Sequence, residues 1–334
     1  VVLGTLETMR TRLQVAWTPG DPTPVDEDLD ARVDQAHGLL TGRRAVVLTG
    51  AGISTDSGIP DYRSPGAAPR TPMTIDAFLA SADFRRHYWA RNHLGWRHLD
   101  AATPNAGHRA VATLQRHGLV RGVITQNIDM LHTKAGSRPV LELHGCYGRV
   151  CCLDCGWQIS RHGLAQVLDP LNVAFTERVR SRGALDVAPD ADVVVDDTRD
   201  FHMIDCPACG GPLKPAIVYF GESVPRPVVA DAYAMVDAAE ALLVLGSSLT
   251  VMSGLRFVRH ARRRGIPVVI VNRGATRGDD CATLKIDHRC ADVLERLVAR
   301  VEADAPTASA RGDDGAPTPS ARGDEVVGVH HRAS

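Results

Sequence analysis

Short, continuous apolar runs alternate along this chain with longer stretches in which apolar residues recur every three or four positions. The runs at 44–49, 122–126, 216–220, 241–246 and 266–272 are rich in Val, Ile and Leu, the pattern of strands buried on both faces. Between them, 26–41 carries Leu29, Val33, Leu39 and Leu40 as an apolar stripe, and 105–117, 228–240 and 254–264 read as further helices. This alternation predicts an α/β fold, doubly wound around a mainly parallel, Rossmann-like sheet. Ligands of such sheets sit outside the carboxyl ends of the strands.

Two stretches interrupt the pattern. Residues 64–102, rich in Arg, His and aromatic residues, predict a helical module over the ligand cleft. Residues 146–214 contain both Cys-x-x-Cys pairs and form a second inserted module. The large lobe is then assembled from 26–63, 103–145 and 215–302, giving one domain over 26–302. Residues 1–25 lack periodicity and read as a flexible extension. From Ala303 onward Ala, Pro, Ser, Gly and Asp dominate, so 303–334 read as a disordered tail.

Composition narrows the function classes. The formal net charge of -1 gives no electrostatic case for nucleic acid, and Arg262-Arg263-Arg264 reads as the solvated end of a helix. Aromatic residues make up 4% of the chain, so the core must be built from Val, Leu, Ile and Ala. The most apolar stretch, 241–245, is far too short to cross a bilayer, and the first 20 residues hold no sustained apolar segment. A cytoplasmic monomer without membrane or nucleic-acid partners is the expectation. Eight cysteines are too few for a disulfide scaffold, and their pairing suits thiolate ligation in a reducing compartment.

The first apolar run leads directly into Thr49-Gly50-Ala51-Gly52-Ile53-Ser54. Gly50 and Gly52 permit positive φ and let backbone amides approach a phosphate. The third glycine of the dinucleotide fingerprint is missing, with Thr55 in its place, and no acidic residue is convincingly placed at the end of a second strand. An ordinary dehydrogenase is therefore disfavoured; a plain glycine turn is the bland alternative. In Ser57-Gly58-Ile59-Pro60-Asp61-Tyr62-Arg63, Pro60 stiffens a loop that brings a carboxylate, a ring and a cation near the phosphates, as a mobile cover would.

Gln126-Asn127-Ile128-Asp129 ends a predicted strand, and alternation lets Asn127 and Asp129 face one pocket; a capped helix start is the alternative. His144 ends another short strand beside Gly145, where an imidazole can accept a proton from a hydroxyl, although a lone histidine is more often structural. Cys152, Cys155, Cys206 and Cys209 form two half-sites that together close a tetrahedral structural zinc site; a redox role fits them poorly. Phe220-Gly221-Glu222 and Gly246-Ser247-Ser248-Leu249 end strands on the ligand side. Their backbones could clamp an extended peptide, or the two serine hydroxyls could reach phosphate.

Taken together these motifs resemble the sirtuin family of NAD-dependent protein deacylases, from about residue 26 to 302. Gly246-Ser247-Ser248-Leu249, Tyr88-Trp89-Ala90-Arg91-Asn92, Leu131 to Ser137 and Asp279-Asp280 resemble its class II branch. The resemblance implies NAD as co-substrate and one structural Zn2+. It assigns Gly50, Ala51, Gly52, Ser54, Ile59, Asp61, Tyr62 and Arg63 to the NAD phosphates and nicotinamide ribose. Gln126, Asn127, Ile128 and Asp129 would line the ribose and nicotinamide pocket, and Gly246, Ser247, Ser248, Asn272, Arg273, Gly274 and Cys290 would surround the adenosine. Val218, Phe220 and Gly221 would flank an acylated lysine of a protein substrate.

His144 would be the general base, with Asn127 and Asp129 as its catalytic companions. The implied reaction releases nicotinamide, passes the acyl group to ADP-ribose and frees the lysine. Tyr88 and Arg91 stand three apart on a predicted helix and share a face. The resemblance makes them a candidate pair for an acidic acyl chain; a surface ion pair for Arg91 is the alternative. Three rival readings follow: a mono-ADP-ribosyltransferase using the same pocket, a non-enzymatic NAD sensor with a zinc adaptor, and, weakest, an oxidoreductase.

Overall fold

A computed structural model describes residues 28–61, 73–181, 195 and 197–304. The expected extension, the tail, Tyr62 and Arg63 lie outside the described residues. In chain order the first elements are α1 (Leu29–Leu40), β1 (Ala45–Thr49), α2 (Ile75–Ala80), α3 (Ala82–Ala101), α4 (Ala106–Arg116), β2 (Val120–Thr125), α5 (Leu131–Lys134) and β3 (Val140–Glu142). Next come β4 (Gly145–Cys152), β5 (Gln158–Ser160), α6 (Arg161–Leu171), α7 (Val173–Arg180) and β6 (Leu213–Ile217). The chain closes with α8 (Arg226–Asp237), β7 (Ala241–Leu245), α9 (Met252–Arg263), β8 (Val268–Val271), β9 (Leu284–Ile286) and α10 (Cys290–Asp304).

Six strands form one sheet in the order β3-β2-β1-β7-β8-β9, and every neighbouring pair is parallel. Both faces are covered, which explains why β1 and β7 read as unbroken apolar runs. Val47, Val123 and Leu243 point to one face and pack on α1, α4 and α10 through Val33, Val111 and Leu294. Val46, Leu48 and Val244 point to the other, against Val236 of α8 and Leu255 and Val258 of α9. The expected doubly wound sheet is therefore present.

A smaller lobe combines the antiparallel sheet β5-β4-β6 with α2, α3, α6 and α7 around Phe78, Tyr88, Trp89, Phe175 and Phe201. The run at 216–220 does not join the parallel sheet: its strand is Leu213–Ile217, antiparallel to β4 with Leu213 opposite Cys152. An apolar run reveals burial but not its partner strand. β4, β5 and β9 lacked a strong apolar signature and were not anticipated. Among the described residues no helix is long and apolar enough to cross a membrane.

Candidate active site

The helices that follow β1 and β7 lie on opposite faces of the sheet, so the chain direction switches between these two strands and a crevice opens at their carboxyl ends. There the loops after β1 and β7 touch backbone to backbone. Gly50 N donates to Leu245 O at 3.1 Å and Gly52 N to Gly246 O at 2.8 Å. A Cβ on Gly50 would stand 2.7 Å from Ser247 Cβ, and one on Gly52 2.9 Å from Gly246 O. The glycines thus serve close approach between loops. Gly50 has φ -130°, not the positive value expected; Gly246, at φ +59°, is the residue in the left-handed region.

The crevice is a cleft of about 780 Å³. Every candidate NAD residue among those described lines it: Gly50, Ala51, Gly52, Ser54, Ile59 and Asp61 from the first loop, and Gln126, Asn127, Ile128 and Asp129 after β2. Gly246, Ser247 and Ser248 after β7, Asn272, Arg273 and Gly274 after β8, and Cys290 at the start of α10 complete it. Cys290 is buried, which pushes its thiol up to about 12, and its Sγ points at Val271 O.

A hydrogen-bonded network holds one end of this cleft. Asn127 Nδ2 donates to Gly50 O at 3.0 Å and Ser54 Oγ at 3.1 Å, and Ser54 Oγ donates to Asp129 Oδ2 at 2.7 Å. Asp129 Oδ1 accepts from Leu131 N at 3.0 Å. Asn105 N donates to His108 Nδ1, so His108 Nε2 carries the proton and faces Ser54 Oγ at 3.4 Å. Burial drives the His108 pKa down to about 4 against the pull of Asp129, and that of neighbouring His132 down to about 3. Both rings are neutral at pH 7.

His144 stands beside a second cleft of about 540 Å³, whose walls are formed by 218–224 and 251–253. The two clefts share Val218, Tyr219, Phe220 and Val251. His144 Nδ1 lies 2.8 Å from Gln126 O and Nε2 lies 2.8 Å from Ser253 Oγ. A carbonyl only accepts, so Nδ1 bears the proton and Nε2 presents its lone pair, which accepts from Ser253. Burial lowers the His144 pKa, partly opposed by the Gln126 carbonyl.

The 218–222 segment is fixed on several sides. Val218 N donates to His144 O, Phe220 N to Met73 O, and Tyr219 N to Glu222 Oε2 at 2.9 Å. Lys214, buried on β6, donates to the same Glu222 oxygen at 2.8 Å and also to Ile217 O. Of the two alternatives for 246–249, the peptide clamp is not seen: the wall facing this segment is 251–253. Gly246 to Leu249 turns instead toward the β1 loop, where Ser247 Oγ accepts from Gln126 Nε2 at 2.8 Å, and Ser248 Oγ pairs with Thr250 Oγ1.

Cys152, Cys155, Cys206 and Cys209 place their sulfurs within 4.8 Å of one another, with Cys152–Cys209 at 3.5 Å and Cys155–Cys206 at 3.7 Å. Zinc bound at about 2.3 Å by four thiolates has sulfur–sulfur edges of roughly 3.8 Å, so the donor set fits it with no open position. Strand alternation turns Cys151 to the opposite face, leaving Cys152 as the ligand. None of the four cysteines lines either cleft.

Residues 50–253 match the Sir2 family along this whole assembly of loop, network and cysteine cluster. The chain belongs to the Sir2 family. A Mycobacterium avium (strain 104) relative named NAD-dependent protein deacetylase 1 is 61% identical over 259 residues, 78% of this chain and 92% of its own. A Bos taurus relative named NAD-dependent protein lipoamidase sirtuin-4, mitochondrial, is 43% identical over 292 residues, 85% of this chain and 90% of its own. A solved Sir2–p53 peptide–NAD+ structure superposes with TM-score 0.62 at 31% identity, covering 81% of this chain and 99% of that one.

Within this Sir2-family frame, the Tyr88/Arg91 pair stays outside both clefts. Tyr88 is buried with its ring edge-on to Phe78 and Tyr219, and its hydroxyl accepts from Asn92 Nδ2 at 3.2 Å. Arg91 Nη1 lies 3.4 Å from His87 Nε2. Sequence reasoning missed Ser253, His108, Lys214 and Glu222. The first three carry no spacing signal, since their partners come from elements 40 or more positions away or from a loop with no period. Glu222 alone lies in a strand-end motif, Phe220-Gly221-Glu222, whose sequence points to its backbone and not to its carboxylate.

Proposed function

We propose that this Sir2-family protein is an NAD-dependent protein lysine deacylase that yields nicotinamide, free lysine and O-acyl-ADP-ribose. The observation that carries the reading is the His144 tautomer, whose unprotonated Nε2 accepts from Ser253 beside the segment where the two clefts join. The names of the relatives, deacetylase and lipoamidase, support the same chemistry.

NAD fits the larger cleft, which reaches from the Ser54–Asp129 network to Gly274 and has the size of a cofactor site. When bound, it supplies an electrophilic ribose carbon as nicotinamide departs. Asn127 and Asp129 act through Ser54 and Gly50 O, holding the loop that would orient the nicotinamide end. Val218, Phe220 and Gly221 line the acyl-lysine side, held by the Lys214–Glu222 pair. His144, kept neutral by burial, accepts a proton from a ribose hydroxyl at Nε2. Cys152, Cys155, Cys206 and Cys209 would hold zinc as a brace for the β4–β6 lobe, and four thiolates would leave it no open position for chemistry.

We read 26–302 as the catalytic domain, and a reducing cytoplasm suits the four thiolates. Incubation of the full chain with NAD and acetyl-, glutaryl- and lipoyl-lysine peptides, beside His144→Ala, tests the reading. NAD-dependent loss of acyl mass that drops at least about 100-fold in the variant supports it. Label from NAD appearing on protein, without acyl loss, would favour the ADP-ribosyltransferase.

A further inference from the structure

The cleft beside His144 is unevenly charged. Arg226, on the first turn of α8, and Arg256, on α9, line it from two walls. Glu222 is the one carboxylate among its lining residues, and that charge is already matched: Oε2 accepts from Lys214 Nζ at 2.8 Å and from Tyr219 N at 2.9 Å. His144 is neutral when buried in this tautomer. Arg256 Nε touches only the Met252 carbonyl of its own helix, at 3.3 Å, and among the described residues neither arginine joins an ion pair. Two unmatched guanidinium groups are left along the walls of the groove that reaches His144.

A peptide lying between 218–224 and 251–256 passes both of them. Guanidinium groups bind carboxylates through paired N–H donors, and a cleft of one sign concentrates oppositely charged partners. We propose that the protein selects acyl-lysines flanked by aspartate or glutamate, and that Arg226 and Arg256 read those flanks. This inference rests on the deacylase reading and names the substrate class of the same site. The deacylated lysine is cationic whereas the acylated one is neutral, so these arginines also disfavour the product.

Three peptides with one acetyl-lysine and acidic, neutral or basic residues on both sides test it. The acidic peptide should exceed the basic one in kcat/KM by roughly 3- to 20-fold, the range expected of two partly exposed ion pairs. The preference should shrink between about 0.05 and 0.3 M salt, as screening shortens the reach of each charge. The double variant R226E/R256E should reverse the order, and R226Q/R256Q should abolish it. R263E, the same charge change at the exposed far end of α9, should keep the native order.

Equal kcat/KM for acidic and basic peptides, or an order that R226E/R256E leaves intact, would overturn the proposal. Labelled copies of the same peptides, read by fluorescence anisotropy, separate the two claims. If no peptide is turned over, the deacylase reading fails, yet tighter binding of the acidic peptide still supports the charge reading and equal binding still rejects it.

Discussion

His108, His132 and His93 are neutral in the folded protein because burial lowers their pKa values to about 4, 3 and 4 from 6.5. In the unfolded chain each takes up a proton as pH falls through about 6.5, whereas the folded chain does not until pH 4 or lower. Stability is therefore full above pH 6.5 and declines on acidification toward pH 4, with each histidine contributing a slope of up to about 1.4 kcal/mol per pH unit. Thermal unfolding should show a lower Tm at pH 5 than at pH 7, and equal values would refute the neutral network. The proton of His108 points at Ser54, so His108→Ala should raise KM for NAD about tenfold while peptide KM changes little, and His108→Gln should restore part of it. Steady-state kinetics on both substrates decides. The four-cysteine cluster and the placement of His144, Asn127 and Asp129 at the clefts were legible because each residue stands in a short motif at a strand end or in a Cys-x-x-Cys pair. His108 was not: alone on a helix it has the same appearance as any capping residue, and only the fold brings it to Ser54.

At the scale of elements, the two loops at the switch point depend on glycine for different reasons. A Cβ on Gly246 would lie 2.3 Å from Ile53 N, in addition to its φ of +59°, so backbone must shift. Gly58 also has positive φ, +79°, but open space around it. Gly246→Ala should therefore cost at least 2–3 kcal/mol more than Gly58→Ala, for which about 1 kcal/mol of conformational strain is expected. Urea denaturation of both variants measures the difference, and similar losses would contradict the close-contact account. The parallel strands were readable because burial on both faces leaves continuous apolar runs. The strand at Leu213–Ile217 shows the limit of that signal, since its burial comes from the small lobe and its pairing from β4. The left-handed turn at Gly246 was equally unreadable, because any glycine permits it and none announces it.

For the whole molecule, the small lobe connects the four-cysteine cluster to the segment at 218–222. Cys152 ends β4 opposite Leu213, the next residue is Lys214, and Lys214 holds Glu222 in the substrate segment. Zinc removal by a strong chelator should therefore raise peptide KM before it alters affinity for NAD, and zinc should restore it; parallel loss of both would break the proposed link. Lys214→Met should reproduce the peptide effect with zinc still bound. The two-lobed division was foreshadowed by the interruptions at 64–102 and 146–214, while the meeting of two clefts at Val218 to Phe220 needed three dimensions. In the proposed reaction the acyl group leaves lysine for ADP-ribose. Mass spectrometry of the small-molecule products tests it most directly. Acylated ADP-ribose formed one-for-one with nicotinamide and free lysine is the predicted result; a free carboxylic acid released without nicotinamide would contradict it.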